Sequence, residues 1–264
     1  MILFKTISFE RKLKSIIPNF IKKIIILIIV NSVVGFFIKM LKLKKNMFGG
    51  IFDYKCVSNE EAAKIFWGVW ESAEIRFAKR FAKSRTIIEL GSSIGVTIGV
   101  LGNYLNNTKF ICVEASPKNF DNLIIQKNLL LKKNLENQFV LYNRAVAYDV
   151  KVVNFEHTST TGSQILKKKI EKQNNVYQIH SITLNDIIVE NDINHPYTLI
   201  SDIEGAESEI FFHDEQSLIN CETIIVELED TEKYSKNIQI SRIKKLGFKI
   251  LEFYGNVFVF KKIV

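Results

Sequence analysis

Cysteine is too scarce and too scattered in this chain to build a framework. Its three cysteines, Cys56, Cys112 and Cys221, are odd in number, and no two stand at a metal-ligand spacing. That excludes a disulfide scaffold and a cysteine-based zinc site, and the expectation is a reducing, cytoplasmic compartment. Histidine does not fill the gap, because His157, His180, His195 and His213 are scattered and form no ligand pair. With three prolines and 12 glycines among 264 residues, collagen-like and long disordered segments are excluded as well. No internal repeat or low-complexity tract is visible. What remains is a chain that is 47% hydrophobic, enough to bury the core of one large domain, or of one domain plus an appendage.

The net charge of +8 suggests a nucleic-acid binder until the charges are located. Residues 1–45 hold ten of the 36 lysines and arginines (Lys5, Arg11, Lys12, Lys14, Lys22, Lys23, Lys39, Lys42, Lys44 and Lys45) and one acid, Glu10. The basic surplus therefore belongs to an N-terminal arm, and the rest of the chain is close to neutral. No nucleic-acid partner is expected of such a body. The arm carries one apolar run, Ile24 to Ile38, interrupted by Asn31, Ser32 and Gly35 and flanked by lysines. It is shorter than the roughly 20 residues a spanning helix needs. Phe36, Phe37 and lysines stand where a signal peptide would place small residues. Two readings stay open: a helix buried in the fold or in a dimer, and a helix lying on the inner face of an anionic membrane through residues 1–45.

After the arm, taken as residues 1–50, the pattern is that of a single α/β domain over 51–264. Ser58 with Glu61 three residues on reads as a helix start. Ile65, Phe66, Val69, Trp70, Ala73 and Phe77 recur at helical spacing, which predicts one or two lead-in helices over 58–83. From 84 to the end, strands and helices alternate. Strands are expected at Thr86–Leu90, Lys109–Glu114, Phe139–Asn143, Thr198–Asp202 and Thr223–Glu227. Helices follow, running to about Tyr104, then over Pro117–Lys132, Ala206–Phe212 and Tyr234–Leu246, with Gly247 as a C-cap. Residues 144–185 read as irregular, with strand-like pieces at Lys151–Phe155 and Tyr177–Thr183. Lys249–Tyr254 and Asn256–Phe260 read as a closing hairpin around Gly255. Alternation of this kind implies a mainly parallel sheet, with the hairpin adding an antiparallel strand.

Chemistry is expected where strands end. Glu89-Leu90-Gly91-Ser92-Ser93-Ile94-Gly95 closes the first strand. Gly91 and Gly95 allow a sharp turn and close backbone approach to a ligand, at the carboxyl edge where such sheets bind them. A dinucleotide fingerprint would need a glycine at position 93, where the chain has Ser93, and this argues against a nicotinamide cofactor. The second strand ends in Glu114, followed by Ala115-Ser116-Pro117. An acid there can accept hydrogen bonds from both ribose hydroxyls of a nucleoside. Ser201-Asp202-Ile203-Glu204-Gly205-Ala206-Glu207 follows a later strand, and Ile224-Ile225-Val226-Glu227 ends the next. Asp202, Glu204 and Glu227 are the candidate catalytic acids. They could take a proton from a hydroxyl or bind a divalent cation that lowers its pKa, and both roles stay open. Glu207 has a simpler reading as an acid in the first turn of a helix.

Taken in order, these pieces resemble the FkbM family of methyltransferases. The resemblance rests on Phe66-Trp67-Gly68-Val69-Trp70-Glu71, Glu89-Leu90-Gly91-Ser92-Ser93-Ile94-Gly95, Val113-Glu114-Ala115-Ser116-Pro117 and Asn143-Arg144-Ala145-Val146-Ala147. It continues through Leu184-Asn185-Asp186, Asp202-Ile203-Glu204-Gly205-Ala206-Glu207 and Val226-Glu227, and covers roughly residues 60–260. The chain departs from the family at Asn185-Asp186, where paired aspartates are common. The resemblance implies a Rossmann-like class I methyltransferase fold that binds S-adenosyl-L-methionine. Glu89, Gly91, Ser92, Gly95, Glu114, Ala115, Asn143 and Ala145 are the residues expected at that cofactor. It also implies methyl transfer to an oxygen, on a sugar hydroxyl of a surface polysaccharide or its lipid-linked precursor, or on a secondary metabolite. An RNA methyltransferase is the competing reading. The chain has no Asn/Asp-Pro-Pro-aromatic turn of the kind used for base or amide nitrogen.

Overall fold

A computed structural model describes residues 25–133, 136–156, 164–166, 176–203 and 205–263, with backbone alone at 164–166. The residues cluster into two compact units. The first takes in the described residues up to Met47 together with Tyr54–Trp70, and the second takes in Phe48–Asp53 and the chain from Glu71 onward.

In the first unit the apolar run does not form one continuous helix. Residues 25–29 are helical, and a second helix, α1, spans Ser32–Met40. Asn31 separates them: its side-chain oxygen accepts the N–H groups of Val33 and Val34 at 3.0 Å, and its amide donates to Ile28 O at 2.7 Å. A short side chain that can satisfy free backbone groups in both directions favours a cap over helix continuation. Helix α2 (Asn59–Phe66) starts from Ser58, which forms a reciprocal capping box with Glu61. The two helices meet at Gly35, where a Cβ would lie 1.6 Å from Asn59 O.

The second unit begins with α3 (Ser72–Phe81). It continues through β1 (Thr86–Leu90), α4 (Val96–Tyr104), β2 (Lys109–Val113), α5 (Pro117–Leu131) and β3 (Gln138–Tyr142). After β4 (Ala145–Val146), β5 (Val152–Glu156), β6 (Gln164–Leu166) and β7 (Val176–Ile182) come α6 (Leu184–Glu190), β8 (Tyr197–Ser201) and α7 (Glu207–His213). The chain closes with β9 (Cys221–Glu227), α8 (Lys236–Lys245), β10 (Phe248–Tyr254) and β11 (Val257–Lys262). The main sheet has seven strands in the order β10-β11-β9-β8-β1-β2-β3. β9, β8, β1, β2 and β3 are parallel, while β11 and β10 form the antiparallel closing hairpin.

Side chains alternate across this sheet, and helices cover both faces. Ile87, Phe110, Cys112, Ile200 and Ile225 bury with Phe77 of α3, Ile98 of α4 and Leu123 of α5. Ile88, Leu90, Ile111, Val113, Leu199 and Ile224 bury with Ile187 of α6, Phe211 of α7 and Ile243 of α8. A strand buried on both faces has no polar side to expose, so its residues read as a continuous apolar run, as in Thr86–Leu90, where every residue is buried.

The stretch 144–185 corrects the sequence reading. Its two strand-like pieces are β5 and β7, and among the described residues they join β4 and β6 in a second sheet of four strands, β4-β7-β5-β6, in which β5 and β7 pair antiparallel. The reason is a single apolar stripe: Val153, Phe155 and Ile179 bury together with Ala145. Helix α6, which the sequence reading omits, follows at once from a reciprocal capping box between Thr183 and Asp186.

Candidate active site

The register of the parallel strands puts four acids on one face of the sheet. Glu89 lies level with Cys112 of β2 and with Ile200 of β8, and Ile200 lies level with Ile225 of β9. Cys112, Ile200 and Ile225 all belong to the layer beneath α3, α4 and α5. Side chains two residues apart share a face. Glu114, Asp202 and Glu227 therefore continue that face beyond Cys112, Ile200 and Ile225, at the strand tips, with Glu89 one layer deeper. In the order β9-β8-β1-β2, Asp202 and Glu227 are neighbours, and Glu114 stands across β1 from them.

The turn after β1 ties these tips together. Gly91 has φ +82° and Gly95 has φ +80°. The N–H groups of Gly91 and Ser92 both donate to Val113 O at 2.9 Å, and Asp202 N–H donates to Leu90 O at 3.0 Å. A Cβ on Gly91 would lie 1.8 Å from Asp202 O, so only glycine lets the two turns pass this closely. Ser93, which takes the place of the missing dinucleotide glycine, also has a left-handed backbone, φ +46°. Its N–H points at Glu114 and donates to Oε2 at 2.8 Å. The position needs a left-handed conformation, and here a hydrogen bond holds a serine in it.

Glu114 is buried and braced. Besides Ser93, the Ser116 N–H donates to its Oε1 at 2.7 Å. Burial pushes its carboxyl up to about 7, against the pull of these N–H groups and the Asn119 side chain. With Ser93, Ser116 and the Asn119 side chain as donors, the carboxylate has spent three of its roughly four acceptor directions and keeps one. Asn143 fixes the backbone of the same tip, its amide donating to Glu114 O at 2.9 Å and to Ala115 O at 3.2 Å. Ser116 then caps α5, with Pro117 in the first turn. Ala145 begins β4 and is buried.

Glu89 is buried at the base of the site, and its Oε2 has no hydrogen-bond partner. Burial raises its carboxyl to about 8, with Ser92 and Thr97 hydrogen bonds opposing. Ser92 is buried beside it, its hydroxyl donating to Glu89 O at 3.2 Å.

At the β8 tip, Asp202 is half-buried, and Glu204 lies outside the described residues. Glu207 is buried and accepts the N–H groups of Ile203 at 2.6 Å and Gly205 at 2.9 Å. It braces the turn that presents Asp202. Burial raises its carboxyl to about 8 despite those bonds. Glu227 is half-buried, and its carboxyl is raised by burial, then by the neighbouring charges of Asp202 and Glu229.

One residue at this face escaped the sequence reading. Glu74, in the first turn of α3, is buried. Burial, then the charges of Glu71, Asp202, Glu89 and Glu227, drive its carboxyl well above the usual range. A signal was present: Glu74 lies three and four residues before Phe77 and Ala78, which places an acid on the apolar stripe of an amphipathic helix.

A family model described as the methyltransferase FkbM domain matches residues 94–253. No curated protein matches the chain at a significant level. Among solved structures, magnesium protoporphyrin IX methyltransferase from Synechocystis with bound S-adenosylhomocysteine is 10% identical. That match covers 78% of this chain and 89% of the other, with a TM-score of 0.45. A methyltransferase from Pyrococcus furiosus is 13% identical over 72% of this chain and 81% of its own, TM-score 0.39. A fibrillarin pre-rRNA processing protein from Methanococcus jannaschii is 13% identical over 67% and 66%, TM-score 0.40.

The Gly91 contact is separable from backbone preference. Gly91→Ala adds a left-handed alanine and a clash with Asp202 O, and is expected to cost about 2–5 kcal/mol. Gly255 has φ +61° but nothing within 4 Å of an added Cβ, so Gly255→Ala should cost only about 1–2 kcal/mol. Urea unfolding of both variants measures the difference, and equal losses would show that the approach of the two turns carries no weight.

Proposed function

The chain belongs to the FkbM methyltransferase family and is an S-adenosylmethionine-dependent methyltransferase, and we propose that its acceptor is a hydroxyl oxygen, on a sugar of a surface polysaccharide or its lipid-linked precursor. The observation that carries this reading is the pair of carboxylates, Asp202 and Glu227, ending adjacent parallel strands on the face of the Gly91 turn. Carboxylates suit an acceptor that must lose a proton as the new bond forms.

The residues at the β1 and β2 tips fit the cofactor. On either side of the positive-φ turn at Gly91, Glu114 keeps acceptor capacity for a ribose hydroxyl and Glu89 offers a buried oxygen without a partner. Ser92, Gly95, Ala115, Asn143 and Ala145 shape and hold the two tips. When bound, S-adenosylmethionine supplies an activated methyl group on a positively charged sulfur. The chain's own task is to exclude water and hold the acceptor oxygen in line. In our reading Asp202, Glu204 and Glu227 surround that oxygen, and one of them takes its proton. The raised carboxyl of Glu227 brings a base closer to the working pH. A divalent cation held by the same acids is the second role. The sequence places no histidine or further aspartate beside these acids to complete an octahedral site, and we assign the base.

The arm fits a peripheral membrane contact. Among the described residues no helix is long and apolar enough to cross a membrane. Val33, Phe36, Phe37, Met40 and Leu41 of α1 and its C-terminal end are exposed, beside Lys39, Lys42, Lys44 and Lys45. Exposed apolar side chains bordered by lysines match an anionic lipid surface, where lipid-linked sugar precursors are held.

Four outcomes are expected. Glu114→Ala should weaken S-adenosylmethionine binding by roughly tenfold to a hundredfold, the worth of hydrogen bonds to a charged group, and calorimetry that finds unchanged affinity refutes the ribose assignment. Asp202→Asn should lower turnover by about 100-fold or more with cofactor affinity retained, and chelators should leave the wild-type rate unchanged; loss with EDTA and recovery with Mg²⁺ or Mn²⁺ would move the role from base to cation ligand. Deleting residues 1–45 should release the protein from anionic vesicles in a flotation assay while preserving cofactor binding; a full-length protein that never floats rules out the membrane role. The acceptor itself is tested by radiolabelled methyl transfer to glycan, RNA and small-molecule fractions, with label on the glycan expected.

A further inference from the structure

The row of strand tips does not stop at Glu227. Val257 of β11 pairs with Glu227, and Tyr254 of β10 pairs with Val257. Ser201 pairs with Val226, so Asp202 lies level with Glu227 and begins the same row. Paired residues share a face of the sheet, and Val257 lies in the layer beneath α3 with Ile200 and Ile225. Asp202, Glu227, Val257 and Tyr254 therefore run in line across the carboxyl edge, on the face of the Gly91 turn. Strands lie about 4.8 Å apart, which sets the Tyr254 backbone about 10 Å from that of Glu227 and about 14 Å from that of Asp202.

The far end of this row is open and carries donors. Val257 is buried, but the Tyr254 side chain is 64% exposed. Phe253, the other exposed ring of this strand end, points to the opposite face and stacks on Phe258 at 5.4 Å. Arg76 of α3 lies over the Tyr254 ring, its guanidinium carbon 5.2 Å from the centroid. Its Nε donates to Ser72 O at 2.7 Å, and its two terminal nitrogens have no hydrogen-bond partner among the described residues. Fastening α3 to β10 does not need this arginine, because one turn further on Arg80 is paired with Glu252.

Resting on the reading of the acceptor as a sugar hydroxyl, we propose that Tyr254 and Arg76 form a second sugar subsite, which holds a neighbouring ring of an oligosaccharide while its target ring lies at Asp202 and Glu227. A sugar ring presents an apolar face of C–H groups and a rim of hydroxyls. An exposed aromatic ring takes the face, and free guanidinium N–H groups take the rim. A row about 14 Å long is filled by a short chain of sugars and not by a single one, so the acceptor is read over more than the unit that is methylated.

Acceptor length isolates this contact. The probe is surface polysaccharide from cells lacking the protein, cut with mild acid and sized into monosaccharides and tetrasaccharides, with radiolabelled S-adenosylmethionine as donor. Tyr254→Ala should raise KM for the tetrasaccharides about tenfold, the worth of one apolar face returned to water, with kcat retained. The same variant should change kcat/KM for the monosaccharides by less than about twofold. Tyr254→Phe, which keeps the ring, should restore the tetrasaccharide KM. Arg76→Met should raise that KM, whereas Arg80→Met, which breaks the neighbouring contact between α3 and β10, should not. An unchanged tetrasaccharide KM in Tyr254→Ala overturns the subsite and leaves the sugar-hydroxyl reading in place. An equal loss on both acceptor sizes also overturns it and marks the pair as structural. Wild-type protein that labels neither size overturns the sugar reading, and the subsite with it.

Discussion

Everything at the carboxyl edge of this sheet depends on how closely two turns pass at Gly91. The carbonyl of Asp202 occupies the space that any side chain at position 91 would fill. The same turn gives two N–H groups to Val113. The end of β1 is thereby bonded to both neighbours, β2 and β8, at the level where the strands stop. A parallel sheet carries its ladder bonds only along the strands, so the spacing of the tips beyond them must come from contacts like these. Glu114 and Asp202 inherit their separation from this junction.

The second constraint is electrostatic. Buried acids are tolerated here in two ways. Glu114 and Glu207 are paired with backbone N–H groups, Ser93 and Ser116 for one, Ile203 and Gly205 for the other. They act as braces and aim the turns they hold. Glu89 is bonded by Ser92 and Thr97 and keeps only its Oε2 unpartnered, and burial raises the carboxyls of all three as well as that of Glu74. That rise bears on stability, because a carboxyl whose folded pKa is raised stabilises most below its unfolded pKa, and that contribution is lost as pH rises through the folded value. For Glu89 and Glu207 that loss spans the ordinary carboxylate range up to about 8.

The units differ in what holds them. The second is an α/β core in which α3, α4 and α5 cover one face and α6, α7 and α8 the other. The first holds short helices that start from the caps Asn31 and Ser58, and Asn31 divides a run that hydropathy alone would join. An apolar run bordered by lysines is ambiguous as composition. Among the described residues its division at Asn31 leaves no helix of spanning length, and the second piece exposes Phe36 and Phe37.

Much of this was legible in the sequence, for a local reason. Strands buried on both faces must be apolar, glycine must stand where φ is positive, and caps are written in single residues. Thr86–Leu90, Gly91, Gly95, the Ser58–Glu61 box and the closing hairpin could therefore be read directly. The small second sheet could not, because its alternation at Val153, Phe155 and Ile179 is short and its strands are assembled from separate pieces of chain. Glu74 was missed for a deeper reason. Its helix signal is ordinary, and its character arises only when packing removes it from water and sets Glu89, Asp202 and Glu227 around it from three strands distant in sequence. Residue types and spacing determined which elements form and where the glycine turn and the strand-tip acids stand; which of those acids share one face was decided by strand order and register, since charge interactions act through space and not along the chain.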